Sequence, residues 1–372
     1  MNKFVVTIKT TLCIGLLFVA VAAAQSKSDI DAAILEFRNQ IEQQVAQDNN
    51  KGSIAITIFK GDQILWSGAY GYADATKTIM ADSSKIYRTG SISKTITAFL
   101  MMQLVEEGII RLNDPVEKYF PEIKELAGYT DATKITFHHL ASHTSGLIRE
   151  PNLQNAASGP IEQWEEKILA SIPKTNFKTG MDVAYSYSNI GFGILGLALS
   201  RAADQSFMQL VEEKIFEPLQ MNNSYFIVPE SKLTEMAIGM ISNGKGQVHQ
   251  KAAQEHSGRG YKVPNGGIYA TPNDLMKFMN AIMGYGTILT PESRSAMLKG
   301  QTPTNNYGYG LSLFEDEHVS TAGHGGSVAG YNCYMLFDKE SEYGVVLMRN
   351  YNRGKTNLGK ASGELIRTLK GL

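Results

Sequence analysis

The sequence predicts an α+β fold: a mostly antiparallel sheet flanked by helices, built from both chain ends, with a helical region inserted between them. Three observations predict it. Strand-like runs occur near the N-terminus, at Ser53–Phe59 and Ile64–Tyr72, and again near the C-terminus, at Tyr331–Phe337 and Tyr343–Met348. Gly61-Asp62 reads as a tight turn that returns the chain between the first two strands. Helical spacing and polar loops fill the chain from Asp114 to about residue 265.

The elements follow in chain order. Lys3 and Lys9 precede an apolar run from Thr10 to Ala24, and Ala22-Ala23-Ala24 offers a small-residue exit before Gln25. That pattern predicts a signal peptide over 1–24, short for a bilayer span, and hence a periplasmic or secreted protein without a stable membrane span after cleavage. Cys13 leaves with the leader, so Cys333 stands alone and no internal disulfide is expected. Its alternation with Tyr331 and Met335 makes it a core residue. Ile30, Ala33, Ile34, Phe37, Ile41 and Val45 give Ser28–Gln47 helical spacing. Ser91–Glu107 is a further helix that Gly108 can end, and Gly359–Leu369 closes the chain.

Composition narrows the class. The 372 residues are 43% hydrophobic, enough for a large core and too apolar for a disordered chain. With 35 Lys+Arg against 36 Asp+Glu and no basic block, no nucleic-acid partner is expected.

The Ser91 helix carries the chemistry. It holds no charge between Lys94 and Glu106, and apolar residues occupy every face, so it is predicted to be buried. Ser91 and Lys94, three apart, are neighbours at its start. Desolvation there lowers a lysine pKa, and a neutral amine beside a hydroxyl can take its proton. Ser-x-x-Lys also occurs at Ser171–Lys174 and Ser242–Lys245, but Pro173 breaks the second and Asn243-Gly244 turns the third. A second element, Tyr187-Ser188-Asn189, precedes another helix of little polarity. Its phenol can share the base role, and its amide can hold a substrate carbonyl.

These motifs make the chain resemble the serine β-lactamase and penicillin-binding-protein superfamily, nearest in pattern to the class C β-lactamases, D-Ala-D-Ala carboxypeptidases and related esterases. Arg88–Lys94, Leu112–Tyr119, His139–Leu147 and Gly266–Pro272 extend the likeness over nearly the whole mature chain. The resemblance implies a β-lactamase/transpeptidase-like fold. It also implies a late third motif on a strand, Lys-Thr-Gly or His-x-Gly. Lys178-Thr179-Gly180 and His256-Ser257-Gly258 match it literally but lie in loops; His324-Gly325-Gly326-Ser327 is chosen. The predicted catalytic residues are Ser91, Lys94 and Tyr187. Asn189, His324, Gly326 and Ser327 would bind substrate, with the oxyanion on the N–H groups of Ser91 and Ser327.

The expected division is an α/β region of 25–90 and 265–372 and a mainly helical region of 91–264, with the active site at their junction. The expected activity is that of a secreted serine hydrolase acting through an acyl-enzyme on an amide, peptide or ester. A β-lactamase proper and a non-turnover penicillin- or cell-wall-peptide-binding protein are the alternatives. The partner is a small-molecule or peptide substrate, cell-wall-derived ones included, and neither metal nor organic cofactor is implied. Lys94 and Tyr187 both stay open as the base. Gly325 lacks the hydroxyl that Lys-Thr-Gly supplies, which implies a preference for substrates without a free terminal carboxylate, and His324 can be cationic or neutral. Gly191-x-Gly193-x-x-Gly196 follows no strand, so helix packing is its expected role. His139 and His143 lack the intervening Glu of a zinc protease.

Overall fold

Residues 27–47 form helix α1, followed by strands β1 (Ser53–Lys60) and β2 (Gln63–Gly71), in a computed structural model that describes residues 27–372 apart from 51, 243–246, 249–255, 257, 287 and 303–305. The leader expected at 1–24 therefore lies outside the described residues. The middle of the chain supplies α2 (Ser93–Glu106), α3 (Asn189–Ala202) and α4 (Pro272–Met283) among shorter helices and loops. Strands β3 (Ser312–Glu315), β4 (Ser320–Val328), β5 (Tyr331–Asp338) and β6 (Tyr343–Arg349) then lead into α5 (Leu358–Lys370). The six strands form one sheet in the order β2-β1-β6-β5-β4-β3, every neighbouring pair antiparallel. The N-terminal hairpin thus joins the C-terminal strands through β1 and β6, with Ile56 opposite Leu347.

Alternation along these central strands gives the sheet two buried faces. Ile54, Ile56, Ile58, Val345 and Leu347 pack with Ile34, Phe37 and Ile41 of α1 and Leu365 and Ile366 of α5. Ala55, Phe59, Val346, Met348 and Met335 face the other way, into the cluster that holds Phe99 and Met102 of α2 and Phe278 of α4. Burial of each such large side chain contributes roughly 1.5–3 kcal/mol, so α2 is fixed from all sides. Cys333 is buried on this inner face, where its thiol donates to the Arg88 carbonyl at 3.1 Å and burial pushes it up to about 12. That matches packing. Among the described residues, no helix is long and apolar enough to cross a membrane.

Two local features depart from what the residue pattern alone predicts. The helix predicted from Ser91 begins at Ser93; Gly90–Ile92 form a 3₁₀ turn ahead of it. Gly90 has φ +56°, a left-handed conformation that glycine adopts without strain, and this breaks the helical path at Ser91. Strand β4 is expected only as the strand that the resemblance places under the third motif; the residues of Ser320–Val328, with three glycines and little β-branched residue, do not signal it. The same glycines make the strand possible. A Cβ at Gly323 would lie 2.1 Å from the Met335 carbonyl oxygen, and one at Gly326 would lie 1.9 Å from that of Thr89.

Candidate active site

Packing of backbone on backbone brings the first and third motifs together. An ideal Cβ at Gly90 would lie 2.7 Å from the Ser327 nitrogen, so the turn carrying Ser91 rests directly on the end of β4. Gly90 and Gly326, each without a side chain, allow this approach.

Beneath Ser91 sits Lys94, the second residue of α2 and fully buried. Its Nζ lies 3.1 Å from Ser91 Oγ, 2.8 Å from Asn189 Oδ1 and 3.2 Å from the Asn265 carbonyl oxygen. The amine also stands 4.8 Å from the centre of the Tyr187 ring. Burial holds Lys94 well below the ordinary lysine range, and the nearby Lys262 and Arg149 charges push in the same direction. A neutral amine has two N–H donors and one lone pair. The two amide oxygens can only accept and so take both donors. The lone pair is left for the Ser91 hydroxyl.

Helix α3 positions Tyr187 and Asn189. Ser188 caps it, its Oγ accepting from the Gly191 N–H at 2.9 Å, so Asn189 is fixed as the first helical residue. The Asn189 N–H donates to the Arg149 carbonyl at 2.8 Å, and its side-chain Nδ2 donates to Glu150 Oε1 at 2.5 Å. Tyr187 is half-buried; burial raises its phenol, and a hydrogen bond with Ser91 acts against that rise. His143 is fully buried beside it, ring centres 4.3 Å apart, and its Nδ1 accepts from the Ser188 N–H at 3.1 Å.

On β4, His324 is 5% exposed and both ring nitrogens are engaged within the protein. Nδ1 lies 2.7 Å from the Gly325 carbonyl oxygen, which only accepts, so Nδ1 carries the proton. Nε2 then accepts from the Tyr307 hydroxyl at 3.0 Å. Burial, with the Lys94 charge adding to it, pulls His324 down to about 4. Of the two charge states left open by the sequence, His324 holds the neutral one at pH 7.

Ser91, Tyr187, His324, Gly326 and Ser327 line one open cleft of about 830 Å³, together with Arg149. Lys94 and Asn189 lie below its floor. A larger groove of about 1470 Å³ runs beside it along Glu150 and Arg259–Lys262 and shares Ser327, but it does not reach Ser91. All seven residues singled out from the sequence therefore converge on this cleft or directly beneath it.

The decoys are dispersed. Lys178 and Thr179 donate their N–H groups to the Gly146 carbonyl in a loop. His256 is bonded to the Tyr269 hydroxyl, and Ser257 lies outside the described residues. His139 pairs with Asp182 at 3.0 Å, away from the partner of His143. Gly193 and Gly196 are close-packing sites: a Cβ at Gly196 would lie 2.4 Å from Pro264. Sequence reasoning missed Glu150, Asn265, His143 and Tyr307. Asn265 sits beside the Gly266–Pro272 segment and His143 within His139–Leu147, both segments noted for their likeness; no spacing marks Glu150 or Tyr307.

The Beta-lactamase family model matches residues 37–365. Protein flp of Staphylococcus aureus (strain MW2) is 26% identical over 324 residues, which cover 85% of this chain and 63% of that protein. The chain thus spans less than two thirds of the length of that relative. D-alanyl-D-alanine-carboxypeptidase/endopeptidase AmpH of Escherichia coli (strain K12) is 28% identical over 275 residues, covering 71% of this chain and 68% of its own. The octameric penicillin-binding protein homologue from Pyrococcus abyssi superposes with a TM-score of 0.76 at 24% identity, covering 91% of this chain and 77% of that one, a likeness of fold. With the family match running over most of its length, the chain belongs to the beta-lactamase family.

Proposed function

We propose that this chain is a serine acyl hydrolase acting through an acyl-enzyme on an amide, peptide or ester. The observation that carries the reading is the set of partners around Lys94: two carbonyl oxygens that can only accept lie at 2.8 and 3.2 Å and Ser91 Oγ at 3.1 Å, so the neutral amine spends its N–H groups on the carbonyls and keeps its lone pair for Ser91. Lys94 takes the Ser91 proton as Oγ attacks the substrate carbonyl. The oxyanion rests on the N–H groups of Ser91 and Ser327, which the Gly90 contact holds side by side. Tyr187, hydrogen-bonded to Ser91, passes the proton to the leaving group, and water then hydrolyses the ester formed at Ser91.

The third motif bears on the substrate. A neutral His324 and a side-chain-free Gly325 offer neither a cation nor a hydroxyl to a terminal carboxylate. With Arg149 left as the cation on the cleft lining, the third motif itself favours esters and amides without a terminal carboxylate over β-lactams. The name of AmpH keeps D-alanyl-D-alanine peptides, as found in cell walls, among the substrates to be tested. The leader-like residues 1–24 support export to the periplasm or beyond.

Ser91→Ala should abolish covalent labelling by a fluorophosphonate while thermal unfolding stays unchanged; labelling at another serine would overturn the assignment. Comparing kcat/KM for a short acyl p-nitrophenyl ester, a D-Ala-D-Ala peptide and nitrocefin on one preparation then fixes the class. Labelling without turnover of all three would make the chain a binding protein.

A further inference from the structure

Resting on the hydrolase reading, we infer that Glu150 is a positioning residue: it fixes which atom of the Asn189 amide faces Lys94, and so turns the lysine lone pair toward Ser91.

The inference follows from which groups can only accept and which can only donate. A carboxylate only accepts, so Asn189 must present Nδ2 to Glu150 Oε1, where the two lie 2.5 Å apart. The other end of the same amide, Oδ1, is then forced toward Lys94 at 2.8 Å. Had the amide been turned over, its N–H would compete for the lone pair that Ser91 needs. Glu150 is itself held: its Oε2 meets Lys262 Nζ at 2.9 Å and accepts from the Tyr261 hydroxyl. Asn189 is anchored through its backbone, its carbonyl accepting from Asn265 Nδ2 at 2.9 Å, so only the amide orientation remains to be decided. The Glu150 side chain is 42% exposed, at the rim of the larger groove, and its replacement leaves the core intact.

Glu150→Gln is the informative change, because glutamine has one oxygen where glutamate has two. The Lys262 ammonium has no lone pair and can only claim that oxygen. The glutamine N–H₂ group then faces Asn189, which must turn its own oxygen to meet it and offer N–H to Lys94. Removing Lys262 frees the glutamine oxygen for Asn189 and restores the original orientation. The charges acting on Lys94 are Lys262, Arg149, Glu150 and Arg259, with neutral His143 and His324 and the Tyr187 ring packed nearby. Glu150 is the one carboxylate among them and raises the lysine toward its charged form.

The experiment compares wild type, Glu150→Gln, Lys262→Met and the double variant. Ser91 acylation by a p-nitrophenyl ester should fall roughly tenfold in Glu150→Gln, the worth of one misdirected hydrogen bond. Lys262→Met should stay within about threefold of wild type, and the double variant should recover most of the loss. In protein carrying ¹⁵N-labelled asparagine, the Asn189 side-chain amide should shift in Glu150→Gln and return toward its wild-type position in the double variant, a readout that needs no turnover. Wild-type acylation in Glu150→Gln, a double variant no faster than that single variant, or an Asn189 amide that does not return in the double variant each overturns the inference. A wild-type Ser91 that takes no acyl group refutes the hydrolase reading instead, and the Asn189 amide still decides this one.

Discussion

Two buried basic side chains flank Ser91, and their hydrogen bonds end in different places. Lys94 gives its N–H groups to Asn189 and Asn265 and turns its remaining contact to Ser91. His324 spends one nitrogen on the carbonyl of its own neighbour, Gly325, and the other on Tyr307. Burial drives both toward the neutral form. Neutrality alone therefore does not make a base. On the proposed chemistry, what distinguishes Lys94 is that its lone pair is left facing the Ser91 hydroxyl, whereas that of His324 is closed off inside the protein.

The sharpest way to break this comparison is Lys94→Arg, which keeps a cation that cannot become neutral. Acylation of Ser91 should fall by roughly 10²–10⁴-fold, and a near-normal rate would remove Lys94 from the proton path. Tyr187→Phe should slow a chemical step by about 10²-fold. An unchanged pre-steady-state burst and steady rate would leave Tyr187 a packing residue. A smaller effect is expected at Arg149, whose guanidinium lies 4.9 Å from the Tyr187 ring centre on the cleft lining. With His324 neutral, Arg149→Ala should cut kcat/KM for a D-Ala-D-Ala peptide about tenfold, the loss of one charge-assisted hydrogen bond, and spare an uncharged ester.

His324 itself should matter least to rate and more to acid stability. Its folded value near 4 lies below its ordinary 6.5, so the unfolded chain binds the extra proton first as pH falls. The stability that neutral His324 preserves is complete above 6.5 and is lost as pH drops toward 4. His324→Gln should flatten the fall of Tm across that window, while kcat/KM for a neutral ester keeps its acid limb. A limb that moves with His324 would place this histidine in the chemistry after all.

Much of this arrangement is legible in the sequence, for identifiable reasons. The apolar run after Lys94 can only be a buried helix, and the near-continuous apolar runs at Ser53–Phe59 and Tyr343–Met348 mark buried strands. Strand β4 is legible only through the resemblance, because its glycines serve close approach to Met335 and Thr89, which no local pattern encodes. Glu150 is illegible for a related reason: its contact with Asn189 spans 39 positions and depends on the Leu147–Glu150 loop passing over the start of α3. Residues that act through periodicity or motif spacing can be read in advance; those that act by fixing the orientation of another side chain emerge only from tertiary geometry.

The backbone contact between Gly90 and Ser327 has a consequence for the order in which the molecule matures. Ribosomes deliver Ser91, Lys94, Tyr187 and Asn189 well before Ser320–Val328 emerges. Until β4 docks between β3 and β5, the Ser91 turn lacks the N–H partner proposed to share the oxyanion, and the cleft has only one wall. On the proposed chemistry, a nascent or truncated chain is therefore inert, and reactivity arrives with the last strands as a late step of folding. On that chemistry the topology times the onset of turnover: the serine and its base are delivered early, and the oxyanion site is completed only when the last strands dock.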